Sequence, residues 1–207
     1  MKILHLFYDL LNLYGEYGNL CVLERGLAEK GAEVTKDLLS IGDEIDFSKY
    51  DFIYIGSGTE KNQKVALNYL LGYKDDIRKA IENGTVFLAT GNSFEMFGNK
   101  ITDCNKNEYT ALEIFDFYTE ESDQRTVTDA KSKCSLCDST LIGFINKASD
   151  IKGIKNPFCE MLEGCGNTPD DKAEGIHEGN FYGTHLIGPV LVRNPELCEY
   201  FVKLLSE

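Results

Sequence analysis

The chain has 207 residues, 43% of them apolar, enough for a substantial core, and a formal charge of −13. With 34 Asp and Glu against 21 Lys and Arg, it has no basic surplus with which to grip nucleic acid or an anionic membrane surface. The opening "MKILHLFYDLLNLYG" is broken by His5, Asp9 and Asn12, no run approaches the roughly 18 apolar residues of a bilayer span, and the seven cysteines are an odd number. The expectation is a cytoplasmic protein with free thiols.

"MKILHLFY" reads as a short buried strand, followed by a polar, Gly-bearing loop. In "NLCVLERGLAEKG", Leu20, Leu23, Leu27 and Ala28 recur at helical spacing and Gly31 supplies a stop. "AEVTKDLL" and "YDFIYIGSG" predict a second and a third strand, and one long helix is expected from about Asn62 to Glu82. Asn83-Gly84 then turns into a fourth strand, "TVFLAT". This alternation predicts an α/β fold with a mostly parallel sheet and helices on both faces.

After Gly98 the pattern changes to alternating, β-branched stretches, "TALEIFDFYT", "QRTVTDA" and "STLIGFINK", which predict extra, partly antiparallel strands in the second half. "NFYGTHLIGPVLV" reads as strand and loop, and "NPELCEYFVKLL" as a terminal helix with Asn194 as N-cap, Pro195 at the first helical position and Glu196 favouring the dipole. No linker or repeat interrupts the chain, so residues 1–207 are expected to form a single domain.

In an open α/β sheet, ligands bind beyond the carboxyl ends of the strands. The segments "NLYGEYGN", "GSGTEKNQ" and "TGNS" fall there. Neither of the first two is a known phosphate loop: one lacks the G-x-G-x-x-G spacing, the other the Gly-Lys-Ser/Thr ending. The order and identity of "LLNLYGEYGN", "IGSGTEKNQ", "FLATGNSFEMFG", "IGFINKAS", "GCGNTPDDKAEG" and "YGTHLIGPVLVRNPEL" resemble the cobyric-acid-synthase-type class I glutamine amidotransferases over nearly the whole chain. Within that family they are most similar to the small glutaminase subunit that partners a Mur-ligase-like protein in amidating the peptidoglycan precursor lipid II.

The resemblance implies a flavodoxin-like sheet and a glutaminase in which an elbow cysteine attacks the side-chain amide, a late histidine shuttles the proton, and backbone amides hold the oxyanion. The family's elbow reads Cys-Gly-Gly, an aromatic, then Gln; here the residues are Gly91, Asn92, Ser93, Phe94 and Glu95. Its late motif reads Gly-Thr-Tyr-Leu-His-Gly-Pro; here Gly183-Thr184-His185-Leu186-Ile187-Gly188-Pro189 puts Ile187 at the histidine position. Both halves of the catalytic pair are replaced, which implies a pseudoenzyme serving as a binding or regulatory subunit of a Mur-ligase-like partner.

Rescue by Thr90 or Ser93 would shift the attacking atom by several ångströms, where a displacement of about 1 Å already costs roughly a hundredfold. As a substitute base, His185 would share a strand face with Ile187, about 6–7 Å further along; the plainer expectation is a surface or pocket-wall histidine. Gly56, Ser57, Gly58, Gly91, Asn92, Ser93, His185 and Ile187 are the candidate walls of a vestigial pocket for a small amide or anion, unless Gly91 and Ile187 merely close the space. The alternatives are an active amidotransferase with relocated groups and a small-ligand sensor. No cofactor is expected. "CSLC" places Cys134 and Cys137 at a metal-ligand spacing that Cys159 and Cys165 could complete, but one CxxC alone is a weak zinc signal. Cys21 and Cys198 read as small core residues on helix faces.

Overall fold

A computed structural model describes all 207 residues. In chain order, the first half comprises β1 (Lys2–Leu6), α1 (Gly18–Glu29), β2 (Thr35–Leu39), β3 (Phe52–Ile55), α2 (Glu60–Leu70), α3 (Lys74–Glu82) and β4 (Val86–Thr90). A 3₁₀ turn, Gly91–Phe97, follows β4. The second half adds β5 (Lys100–Thr102), β6 (Glu108–Thr110), β7 (Tyr118–Lys133), β8 (Thr140–Lys152), β9 (Cys159–Glu163), β10 (Ala173–Glu174), β11 (Ile176–Glu178), β12 (Phe181–Thr184), α4 (Val190–Arg193) and α5 (Pro195–Ser206).

One sheet has the order β11-β12-β4-β3-β1-β2, parallel throughout except for β11 at the edge. Its five parallel strands follow the 2-1-3-4-5 order of a flavodoxin-like sheet, with β12 as the fifth. Alternate side chains divide the core between its two faces. Ile3, Phe52, Tyr54 and Leu88 lie under α1 and α5 with Leu23, Leu27 and Phe201, whereas Leu4, Ile53, Phe87 and Ala89 meet Leu67, Leu70 and Ile77 of α2 and α3. Each such aliphatic or Phe side chain contributes about 1.5–3 kcal/mol on burial, so the sheet is secured from both sides.

The second sheet has the order β10-β9-β7-β5-β6, with β8 paired antiparallel to β7 in a long hairpin whose register shifts between Glu121 and Thr126. Its inward residues Ala130, Leu141 and Ile145 join the same apolar cluster as Leu88 and Tyr182, which lays the hairpin over the elbow end of the parallel sheet. No helix is long and apolar enough to cross a membrane.

Five local expectations need correction. The predicted helix from Asn62 to Glu82 is two helices: the chain tightens into a 3₁₀ turn at Leu71–Tyr73 and leaves helical geometry at Tyr73 (φ −115°, ψ 9°). Asp75 and Asp76 then suit the positive end of a new helix. "TALEIFDFYT" is not one strand, because Leu112, Glu113, Ile114 and Phe115 donate their N–H groups to carbonyls of Met96, Phe97 and Gly98, so the 3₁₀ turn takes the place of a ladder partner. "VLV" is helical rather than strand or loop. Asn194 stands at the N-cap but makes no side-chain cap: its amide accepts from Ile142 N–H at 2.8 Å and donates to the carbonyls of Ile142 and Val190, so it clasps β8 to the C-terminal helices. Cys198 is buried as expected, but Cys21 is exposed.

Candidate functional site

The site forms where β1, β3, β4 and β12 end together. Gly91 follows β4 at φ +61°, the left-handed geometry of a strand-to-helix elbow, which glycine adopts without the usual steric cost. The elbow persists while its attacking group is absent. A Cβ at this position would lie 2.4 Å from the Ser57 hydroxyl oxygen and 2.5 Å from its Cβ, so Ser57 fills the space where a residue-91 side chain would begin.

The alternative hydroxyls are committed elsewhere. Ser93 Oγ is fully buried and donates toward the carbonyls of Ile55 (3.0 Å) and Thr90 (2.8 Å). Thr90 Oγ1 hydrogen-bonds to Glu16. No thiol sits beside an imidazole: Cys134 points to the Phe158 carbonyl, Cys159 to Glu174, and Cys165 to the carbonyls of Gly166 and Thr168. Cys134 lies beside Cys137, but no three His, Cys, Asp or Glu side chains are arranged to hold a metal.

Ile187 is 1% exposed, and its backbone forms a two-way bridge with Phe144 of β8 (N–H donations of 2.9 and 3.2 Å). Its neighbour Gly188 (φ +90°) donates its N–H to Glu16 Oε1 at 3.0 Å. β12 ends at Thr184, so His185 and Ile187 do not share a strand face. Nor is His185 on the surface or the pocket wall. It is 2% exposed, its edge lies on Phe94, and its Nε2 is 3.0 Å from Glu95 Oε1. Nδ1 lies 3.6 Å from Glu174 Oε1, close enough for charge attraction but too far for a hydrogen bond, while the His185 backbone N–H donates to that same oxygen at 2.6 Å.

Burial pushes the carboxyls of Glu95 and Glu174 upward, but the hydrogen bonds and charge of His185 more than offset this and hold both below the usual carboxylate range. Ser149 and Gln63 assist at Glu95, and Thr184 and the His185 N–H at Glu174. Glu16 behaves oppositely. Fully buried, it accepts from Tyr54, Thr90 and Gly188, yet burial outweighs these bonds and raises its pKa.

Above the elbow lies a cavity of about 220 Å³ between the strand ends and β8. Ser57, Gly58, Asn92, Glu95, Lys147 and Ser149 form its inner wall. Of the predicted pocket residues, the structure brings Ser57, Gly58 and Asn92 to this wall and leaves Gly56, Gly91, Ser93, His185 and Ile187 behind it. Gly56 is wedged against the Leu11 carbonyl, 2.4 Å from where a Cβ would sit. The Gly58 N–H is taken by Asn92 Oδ1 at 3.1 Å.

A profile of the CobB/CobQ-like glutamine amidotransferase domain matches residues 2–195. The chain belongs to that family. Lipid II isoglutaminyl synthase (glutamine-hydrolyzing) subunit GatD of Staphylococcus aureus (strain N315) is 30% identical over 207 residues, covering 100% of this chain and 85% of the relative. The subunit of the same name from Streptococcus pneumoniae (strain ATCC BAA-255 / R6) is 30% identical over 201 residues, 96% of this chain and 77% of the relative. Two solved structures share the fold. A glutamine amidotransferase superposes with a TM-score of 0.61 at 15% identity, covering 99% of each chain. The acivicin-bound glutaminase domain of Trypanosoma brucei CTPS gives 0.60 at 7% identity, covering 100% of this chain and 94% of the other.

Against the family motifs, the departures at Glu95 (Gln in the pattern) and His185 (Tyr in the pattern) touch each other: two neutral residues are replaced by an acid and a base in contact. Sequence reasoning set out both positions without pairing them. It missed Glu16, Glu174 and Lys147, because an acid or lysine in a Gly-rich or alternating stretch carries no sign of burial.

Proposed function

We propose that this glutamine-amidotransferase-like chain is hydrolytically silent and works by binding, as the non-catalytic subunit of a Mur-ligase-like partner in the cytoplasmic amidation of a peptidoglycan precursor. The observation that carries this reading is Gly91: the elbow retains its left-handed turn, has no nucleophile, and has Ser57 in the vacated space. Ile187 agrees with it, since an apolar, buried side chain at the proton carrier's position cannot accept a proton. The two curated relatives are named as subunits of lipid II isoglutaminyl synthase, which supports a partner subunit and the pathway.

The test is glutamate release by the purified chain, alone and co-expressed with a Mur-ligase-like protein from the same genome. The expected result is no turnover above background and stable co-purification. Turnover abolished by Ser93→Ala or Ser57→Ala would reverse the reading in favour of an active amide hydrolase.

A further inference from the structure

The cavity above the elbow has an uneven charge balance. Glu121 faces Lys64, Glu60 faces Arg125, and Glu95 contacts His185, Ser149 and Gln63, so each carboxylate in its wall is already partnered. Lys147 is the exception. Its ammonium is on a residue only 4% exposed, forms no ion pair, and meets only the main-chain carbonyls of Gly166 (2.6 Å) and Asn167 (2.8 Å). An ammonium has three N–H donors, so one is uncommitted. A buried cation held by carbonyls alone keeps much of its desolvation penalty.

A second uncommitted donor stands in the same wall. Ser57 is 5% exposed, and its hydroxyl has no hydrogen-bond partner in the protein. Both unspent groups are donors, so the missing occupant must supply acceptors and a negative charge. A neutral amide answers poorly, because it brings one acceptor and two further donors. The cavity, at about 220 Å³, is smaller than the roughly 300 Å³ at which drug-sized sites begin, so the occupant has few carbons.

We propose that this cavity is a binding site for a small carboxylate, held by the Lys147 ammonium and the Ser57 hydroxyl. The proposal rests on the elbow being hydrolytically silent, which frees the space above it for a resident ligand.

The experiment titrates the full chain with sodium acetate, sodium propionate, inorganic phosphate and L-glutamine at constant ionic strength, by calorimetry and by thermal shift. Acetate or propionate is expected to raise Tm progressively with concentration, as any ligand selective for the folded state does. Lys147→Met is expected to weaken binding about ten- to a hundredfold, the worth of a charged hydrogen bond. Because Lys147 also braces Gly166 and Asn167, that variant could fail to fold. Ser57→Ala removes a hydroxyl that no protein group uses and carries the test by itself, with an expected loss of about three- to tenfold.

Binding of phosphate alone, binding of glutamine alone, no shift with either carboxylate, or carboxylate affinity unchanged in Ser57→Ala would each overturn the proposal. Glutamate release is followed in the same glutamine samples. Release would refute the silent elbow separately, whatever the acetate titration gives.

Discussion

The two sides of the elbow contrast sharply. On the cavity side, where the family's thiol would stand, there is a glycine, a neighbouring serine filling its space, and no base. On the interior side, His185 and Glu174 lie behind the cavity wall and His185 contacts Glu95, which forms part of that wall; all three are at most 2% exposed. The outer shell has lost its reactive groups while the shell behind it holds more charge than the family motifs imply. On the proposed reading, an active site falls silent without becoming apolar; polar groups remain in the wall at Glu95 and behind it at His185 and Glu174, where they bear on stability.

The sharpest way to break this contrast is to remove the base between the two acids. His185→Leu strands two buried carboxylates and is expected to cost about 3–5 kcal/mol, read by urea unfolding. The double variant Glu95→Gln/His185→Tyr, which restores the family residues, should recover much of that loss, and a coupling energy near zero in the double-mutant cycle would dismiss the pairing. The pH dependence supplies an independent check. Because Glu95 and Glu174 are held below their ordinary values, the unfolded chain binds protons first as pH falls. Their contribution is therefore complete above the usual carboxylate range and lost through and below about pH 4.5. In His185→Leu, only the hydrogen bonds of Ser149, Gln63, Thr184 and the residue-185 N–H are left to oppose burial, so both carboxyls shift upward and the variant should lose less stability on acidification than the parent chain.

On the cavity side, Gly91→Cys forces a side chain into a left-handed turn and against Ser57. It is expected to cost about 2–4 kcal/mol, and adding Ser57→Gly should return the packing share, about 1–3 kcal/mol. If Gly91→Cys alone were neutral by thermal unfolding, the space would not be filled as described. The smallest expected effect lies away from both sides. Asn194→Ala leaves Ile142 N–H and C=O without their amide partner, for a loss of about 1–3 kcal/mol, with the elbow and its cavity unchanged.

The parallel half of the fold was legible because strands buried on both faces, such as "DFIYI" and "TVFLAT", read as apolar runs, and because Gly31 and Gly84 punctuate them at positive φ. The α2–α3 break was not, since the helical period continues across Gly72 and only Tyr73's backbone departs from it. At the site, Gly91 and Ile187 were readable as departures from a motif. The burial of His185 was not, because it depends on Glu174, eleven residues upstream, arriving on β10 from the other sheet. A motif records which residues stand side by side along the chain, whereas this trio is created by two sheets meeting.

The fifth parallel strand, β12, and α5, one of the two helices that cover one face of the sheet, both come from residues 181–206. Until those residues leave the ribosome, Ile3, Phe52 and Leu88 lack the cover that Phe201 and Val202 provide, and Glu16 waits for a backbone partner, Gly188, lying 172 positions away. Closure of so distant a contact is slow, and uncovered apolar surface invites association. C-terminal truncation within α5 should consequently yield insoluble chains rather than a smaller soluble fold, so any fusion or tag is better carried beyond Glu207 than in place of the final helix.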